Sequence, residues 1–479
     1  MKDSNAILPN PDEGAQAEAV AGEERRKHPK IPIRSVVFLL VLALVVYHLQ
    51  GVFAYDDVYT HENRVAMTRE KKGRLDGVYI GGSDVYYFWQ PLFGWTEFGI
   101  AVGNYCSNSM RASSVKHYLI EAQNRQPDAL YILSINTFKT IDDLDLSSKI
   151  IHRNVDYLPL SLNTLRLTRK LTARNATTGL DDLEYYLPII RFHSRWADLK
   201  PWSFGVQDND YKASLHAMSF LSKSMDVSEQ LACYDDADAP LSDDMKGIVE
   251  DLLDYCDAHR LNVLFVKVPQ AVSQEVQGRM NRIEAMVTER GYPCLDLFDK
   301  TSEMGIDLRQ EWWDEHHLDI HGSLKFSRTL GAYLMEHYQF QDKRDLPEWS
   351  DWDRSATQYA QVMRRYLLPF EIANDERIMT DIPALAEPSV TKQSVTVNWG
   401  AVEGANGYVI YRKCALEEDR AWREVAEADA NSQSWVDEDV AASTSYTYTV
   451  VPVFTADDKR VYGSFDIIGI SATTEGEPE

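Results

Sequence analysis

Apolar residues follow three different patterns along this chain. From Ser35 to Ala54 they run almost unbroken, with only His48 and Gln50 interrupting. From Arg74 to about residue 340, short apolar runs alternate with stripes at helical spacing. From Ala386 to Thr474, short stretches such as Val390–Asn398, in which polar and apolar residues alternate one by one, are separated by polar turns. The first pattern predicts one transmembrane helix at 35–54, because about 20 apolar residues cross the hydrocarbon core of a bilayer.

The second pattern predicts strand and helix in turn. Val78-Tyr79-Ile80 lies inside a strand Gly77–Gly81 that ends in glycines, and Ala101–Cys106 reads as another strand. Val115, Tyr118, Leu119 and Ala122 form the stripe of a helix Ser113–Gln126 that Pro127 ends, and Ala129–Ile135 is a buried strand. Ser242 caps a helix whose stripe is Met245, Ile248, Val249, Leu252 and Leu253. Strand Val263–Val268, a helix closed at Gly291, strand Cys294–Leu297 and a helix carrying Phe326, Leu330, Tyr333 and Leu334 complete the series. Such alternation means an α/β domain, here 74–340, with a parallel sheet covered on both faces. Residues 140–240 break it. They contain the aromatic and basic run Tyr185–Trp196, and read either as an insertion over the site or as a structural cap. Residues 341–385 are charged and partly helical, a linker without assigned chemistry.

The third pattern predicts an all-β sandwich over 386–474. Its strands are Val390–Asn398 running into Trp399, Gly407–Lys413, Trp435–Asp437 and Ser445–Val450. A core closed by its own strands is expected to fold alone and to be dispensable for chemistry elsewhere.

Charge narrows the partners. The 479 residues carry a net charge of −25, which disfavours binding nucleic acid through its phosphates. Five widely spaced cysteines, Cys106, Cys233, Cys256, Cys294 and Cys414, form neither a disulfide framework nor a zinc motif. Residues 1–34 read as a disordered polar tail ending in the basic cluster Arg25, Arg26, Lys27, Lys30 and Arg34. That cluster precedes the apolar run, so the N-terminus is expected in the cytoplasm and the rest outside. A signal peptide cleaved after Val52-Phe53-Ala54 is the rival reading.

Candidate chemistry gathers at two places. Asp314 stands three residues before His317 on a loop feeding a helix, a spacing at which the carboxylate can orient the imidazole as a general base. Ser83 follows the strand Gly77–Gly81 and is the matching nucleophile. Sites in parallel α/β sheets lie at the carboxyl ends of the strands, where both fall. His316 is the rival histidine, but only His317 keeps the spacing to Asp314. His316, His317, His321, Asp314 and Asp319 can also be read as a metal cluster, although adjacent histidines on one loop rarely converge on one ion. No metal and no cofactor are expected.

These segments resemble the SGNH/GDSL hydrolase superfamily, and within it the membrane-anchored DltD-like branch and the proteins of bacterial polysaccharide O-acetylation. The matching text is Ile80-Gly81-Gly82-Ser83-Asp84, Asn104 to Met110, Gln126-Pro127, and Asp314-x-x-His317-Leu318 with Gly322, Lys325, Phe326 and Ser327. The resemblance implies a flavodoxin-like three-layer fold with Ser83 as nucleophile, His317 as base and Asp314 as orienting acid. It places the oxyanion hole at the Ser83 amide, an amide of the Gly103–Asn108 turn represented by Gly103, and the Asn136 side chain. Two departures stand out. Gly82 precedes the serine where an aspartate is usual, and Ser134-Ile135-Asn136-Thr137 replaces Gly-x-Asn-Asp. The Trp399, Tyr408, Tyr446 and Tyr448 pattern likewise resembles a fibronectin type III module. Together these imply serine-dependent O-acyl transfer or ester hydrolysis on an envelope glycan, with a membrane acyltransferase as partner. A retired hydrolase fold serving as a scaffold and a simple secreted esterase are the alternatives.

Overall fold

The computed structural model describes residues 33–54, 57–139, 146–173, 183–199, 225–309, 311–367, 380–414, 422–456, 459–466 and 468–476. Residues 1–32, nearly all of the expected tail, and much of the 140–240 insertion therefore lie outside the described residues. The chain forms two compact units, Met1–Gln50 and Gly51–Glu479.

Helix α1 (Ile33–Val52) covers the first apolar pattern, and Val37, Phe38, Leu40 and Val41 on it stand exposed. Among the described residues no helix is long and apolar enough to cross a membrane. The transmembrane helix expected at 35–54 is thus met only as a 20-residue helix with bare apolar side chains.

In the second unit, strands β1 (Gly77–Gly81), β2 (Val102–Cys106), β3 (Leu130–Ser134), β4 (Val263–Lys267) and β5 (Cys294–Asp296) form one parallel sheet in the order β2-β1-β3-β4-β5. That is the strand order of flavodoxin-like doubly wound sheets. Successive side chains leave the sheet on opposite faces. Val78, Ile80, Tyr131, Leu133, Val263 and Phe265 enter one buried cluster, while Tyr79, Val102, Leu130, Ile132, Leu264 and Val266 enter another. Helices Ala112–Arg125, Asp243–His259 and Gln274–Glu289 cover the first face, and Ile320–His337 helps cover the second. Phe326, Leu330 and Leu334 of that last helix are fully buried, each contributing roughly 1.5–3 kcal/mol. Ser242 caps Asp243–His259 by accepting the Met245 amide, and Gly291 closes Gln274–Glu289 at φ +93°.

The stretch read as a linker carries helix Ser350–Leu367, which belongs to the α/β core. Trp352 is buried there, its indole donating to Glu70, and the Tyr359 hydroxyl donates to Gln90. Of the insertion, helices Ser148–Val155 and Leu162–Thr172 bury Ile151, Val155, Leu167 and Leu171 in the first cluster. These parts extend the core.

A separate β-sandwich follows. Strands β8 (Leu385–Val390), β9 (Val395–Trp399), β10 (Gly407–Cys414), β11 (Arg423–Asp429), β12 (Ser434–Asp437), β13 (Ser445–Ala456), β14 (Lys459–Tyr462) and β15 (Ile470–Thr473) pair antiparallel in two sheets; β6 (Trp312–Asp314) and β7 (His317–Leu318) belong to the site below. One sheet is β12-β9-β8; the other is β11-β10-β13-β14, with β15 also on β13. Trp399, Tyr408, Tyr446 and Tyr448 lie together in its core.

Candidate active site

Because β2 and β3 flank β1 on opposite sides, the chain reverses its winding at the carboxyl ends of β1 and β3, where a crevice opens in folds of this order. Ser83 stands there, first residue of a one-turn helix Ser83–Tyr86. The turn needs glycine. A Cβ on Gly81 would lie 2.6 Å from Val85 Cγ2 and 2.8 Å from Ser134 Cβ. The Ser83 amide lies in the first turn of that helix, where amides have no intrahelical carbonyl to bond.

The Asp–His loop folds as a hairpin of β6 (Trp312–Asp314) and β7 (His317–Leu318). Three outside bonds hold its tip and rim. The Ala271 amide donates to the Glu315 carbonyl at 2.8 Å, the Gln270 side chain to the His316 carbonyl at 2.9 Å, and the Met225 amide to the Trp312 carbonyl at 2.6 Å. The hairpin delivers His317 to the serine. Ser83 Oγ lies 2.8 Å from His317 Nε2, and His317 Nδ1 lies 2.9 and 3.0 Å from the two Asp314 oxygens. A carboxylate only accepts, so Nδ1 carries the ring proton and Nε2 presents its lone pair to the Ser83 hydroxyl. Burial pushes the Asp314 carboxyl up, but the His317 hydrogen bond and charge, with the His316 amide, hold it below the usual carboxylate range. Tyr87 packs edge-on against the His317 ring at 5.0 Å, with Tyr59 and Tyr86 beside it.

The remaining residues separate from this line. His316 turns toward Glu315, with Nε2 3.6 Å from its carboxylate. His321 turns toward Asp319, so the three histidines face three different partners. Among the described residues there is no group of three or more side chains fit to hold a metal ion. Cys106 is buried in β2, and burial raises its thiol well above its ordinary value.

The other two oxyanion candidates stand differently from expectation. Gly103 lies inside β2, paired with Val78, because the turn begins only after Cys106. Asn136 is buried just past β3, and its side chain is occupied. Its amide nitrogen donates to the Val268 carbonyl at 2.9 Å and to Gln270 at 3.1 Å, and its oxygen accepts the Val268 amide at 2.8 Å. It therefore clamps β3 to the end of β4.

Two residues at the rim escaped the sequence reading. Gln270 joins Asn136, the His316 carbonyl and Lys139, whose Nζ lies 3.1 Å from its oxygen. Burial lowers the Lys139 ammonium, against the pull of Asp84 and Asp314. No motif marks either residue; only the crossing of β3 and β4 brings them together.

No family model and no curated protein matches the chain. Solved structures similar to part of it include the fibronectin type III domain of human contactin 1, at 20% identity over 22% of this chain and 87% of that one, TM-score 0.18. A fibronectin domain of human collagen XX is 20% identical over 21% of this chain and 94% of its own, TM-score 0.16. A β-1,2-glucanase from Parabacteroides distasonis is 20% identical, covering 21% of this chain but 13% of the glucanase, TM-score 0.16.

Proposed function

We propose that the chain is a serine-dependent acyl enzyme of the SGNH type, acting outside the cell on an envelope glycan. The hydrogen-bonded line Ser83–His317–Asp314 at the winding switch of the parallel sheet carries this reading. In it, His317 Nε2 takes the Ser83 proton as Oγ attacks an acyl carbonyl, and Asp314 steadies the imidazolium that forms. The Ser83 amide receives the oxyanion. The tetrahedral adduct collapses by breaking the bond to the donor's alcohol, which leaves with the proton from His317. The acyl group then passes from Ser83 to water or to a sugar hydroxyl that His317 deprotonates, Ser83 regaining its proton. The resemblance to the DltD-like branch favours the sugar. The acidic chain suits a neutral or mixed glycan better than a polyanion.

The same reading takes α1 as the anchor, supported by its exposed apolar side chains and the basic residues before it. An exported site has no cytosolic acyl donor within reach, so a membrane acyltransferase is the partner that supplies one. The sandwich is read as a fibronectin type III module. Its two-sheet pairing supports this, as does Tyr446, whose hydroxyl accepts the Ala441 amide five residues upstream. The test is turnover of a generic acetyl ester by the purified chain. Hydrolysis that disappears in Ser83→Ala supports the enzyme; a folded wild type without turnover or acyl-serine leaves the scaffold reading in its place.

A further inference from the structure

The β-sandwich touches helix Ile320–His337, which leads directly out of the hairpin that carries the base. Lys413, at the end of β10, is buried, with Nζ 2.6 Å from His321 Nε2. An ammonium only donates, so Nε2 accepts and the His321 proton sits on Nδ1, 3.2 Å from Asp319 Oδ2. The other Asp319 oxygen receives the amides of His321 and Gly322, both at 2.9 Å, and starts helix Ile320–His337. The Asp319 amide in turn donates to the Glu311 carbonyl at 3.0 Å, closing the stem of the β6–β7 hairpin.

A second line runs beside the first. Glu311 pairs with Lys325 at 2.9 Å, and Lys325 Nζ reaches Ser471 Oγ of β15 at 3.2 Å. Arg328 pairs with Asp466 at 3.2 Å through both terminal nitrogens, and Ile468 shares a buried cluster with Ile320 and Leu324. The stem has no slack, since a Cβ on Gly322 would lie 2.5 Å from the Glu311 carbonyl.

We propose that the sandwich is part of the machinery that sets His317 against Ser83, with Lys413 as its positioning residue acting through His321 and Asp319. This rests on the reading of Ser83 and His317 as the reacting pair. Lys413 touches neither substrate nor nucleophile. Its bond fixes the His321 tautomer, which orients Asp319, which holds the stem whose strands end in Asp314 and His317. Without that donor, buried Asp319 and His321 are left to water or to each other, and the stem loosens. A misplacement of about 1 Å at a reacting group costs on the order of a hundredfold in rate.

The experiment compares the full chain with Lys413→Met and Lys413→Arg. Three quantities are read: the rate and final extent of Ser83 labelling by a fluorophosphonate, kcat and KM for an acetyl ester, and amide hydrogen exchange over 311–322. Lys413→Met should label to full extent but roughly tenfold or more slowly, lose kcat with KM little changed, and exchange faster over 311–322. Lys413→Arg, which keeps a donor, should recover most of the rate. Wild-type labelling and exchange in Lys413→Met overturn the proposal. So does reduced extent at an unchanged rate per labelled site, which would make Lys413 a folding residue. A folded wild type that takes no label sinks the Ser83 reading instead, and exchange over 311–322 then still decides the linkage.

Discussion

Asp314→Asn separates the carboxylate's charge from its shape. In the wild type both Asp314 oxygens lie within 3.0 Å of His317 Nδ1, so the ring is held with its proton on that nitrogen. As the serine proton arrives at Nε2, the ring becomes a cation about 4 Å from the carboxylate charge, an attraction of about 4 kcal/mol at an effective dielectric near 20. The Asp314 side chain is 38% exposed, and solvent screening cuts this to roughly 2 kcal/mol. That alone is about thirtyfold in rate. Asparagine also offers an N–H₂ to Nδ1, which favours the tautomer with the proton on Nε2 and removes the base from Ser83. Together the two effects predict a fall of about 10²–10⁴ in kcat/KM with little change in fold or substrate binding. The assay is steady-state hydrolysis of an acetyl ester across pH, with circular dichroism as the fold control. The depressed Asp314 pKa keeps the carboxylate charged above its ordinary range, its contribution fading only as pH falls through the lower folded value. Asp314→Asn activity within about threefold of wild type would refute the role given to the carboxylate.

Gly81→Ala should destabilise the fold by about 1–3 kcal/mol and depress turnover further than stability alone explains, because the added Cβ meets Val85 and Ser134 directly beneath Ser83; urea denaturation and kinetics on the same preparation check this. His61 is pushed from 6.5 down to about 4 by burial, then by Arg64 and Arg69, so as pH falls the unfolded chain takes the proton first. Stability from burying it neutral is complete above 6.5 and drains away toward 4, and thermal melts of His61→Leu should lose less over that window than wild type. If α1 anchors the chain, protease added to intact cells should remove a tag after Glu479 and spare one before Met1.

The fold was legible where the signal is local. The apolar runs of β1, β3 and β4 and the stripe of Asp243–His259 reappear at nearly the expected bounds, because a strand buried on both faces has to be apolar throughout. Ser83, Asp314 and His317 were legible for the same reason. A glycine turn after a strand and an Asp three residues before a His are short-range features. Gly103 was put at the oxyanion turn by the family resemblance alone, whereas it lies in β2, inside the strand read at Ala101–Cys106, close to Leu75, which a Cβ would approach to 3.1 Å. The fate of Asn136 was not legible, since Val268 and Gln270 lie far along the chain and meet it only through sheet order. Helix Ser350–Leu367 looked like a charged spacer because its partners, Glu70 for Trp352 and Arg74 for Asp351, come from the start of the domain. The docking of the sandwich on the helix after the hairpin was invisible for the same reason, resting on Lys413–His321 and Lys325–Ser471 pairs between residues far apart in the chain.

The central claim is that a base-activated hydroxyl stands at Ser83, and intact-mass spectrometry after exposure to a serine-directed fluorophosphonate tests it most directly. The account predicts one adduct per chain, mapped to the peptide containing Ser83, lost in Ser83→Ala and in His317→Ala, and retained in His316→Ala. A folded wild-type chain that stays unmodified, or an adduct that survives Ser83→Ala, would contradict it.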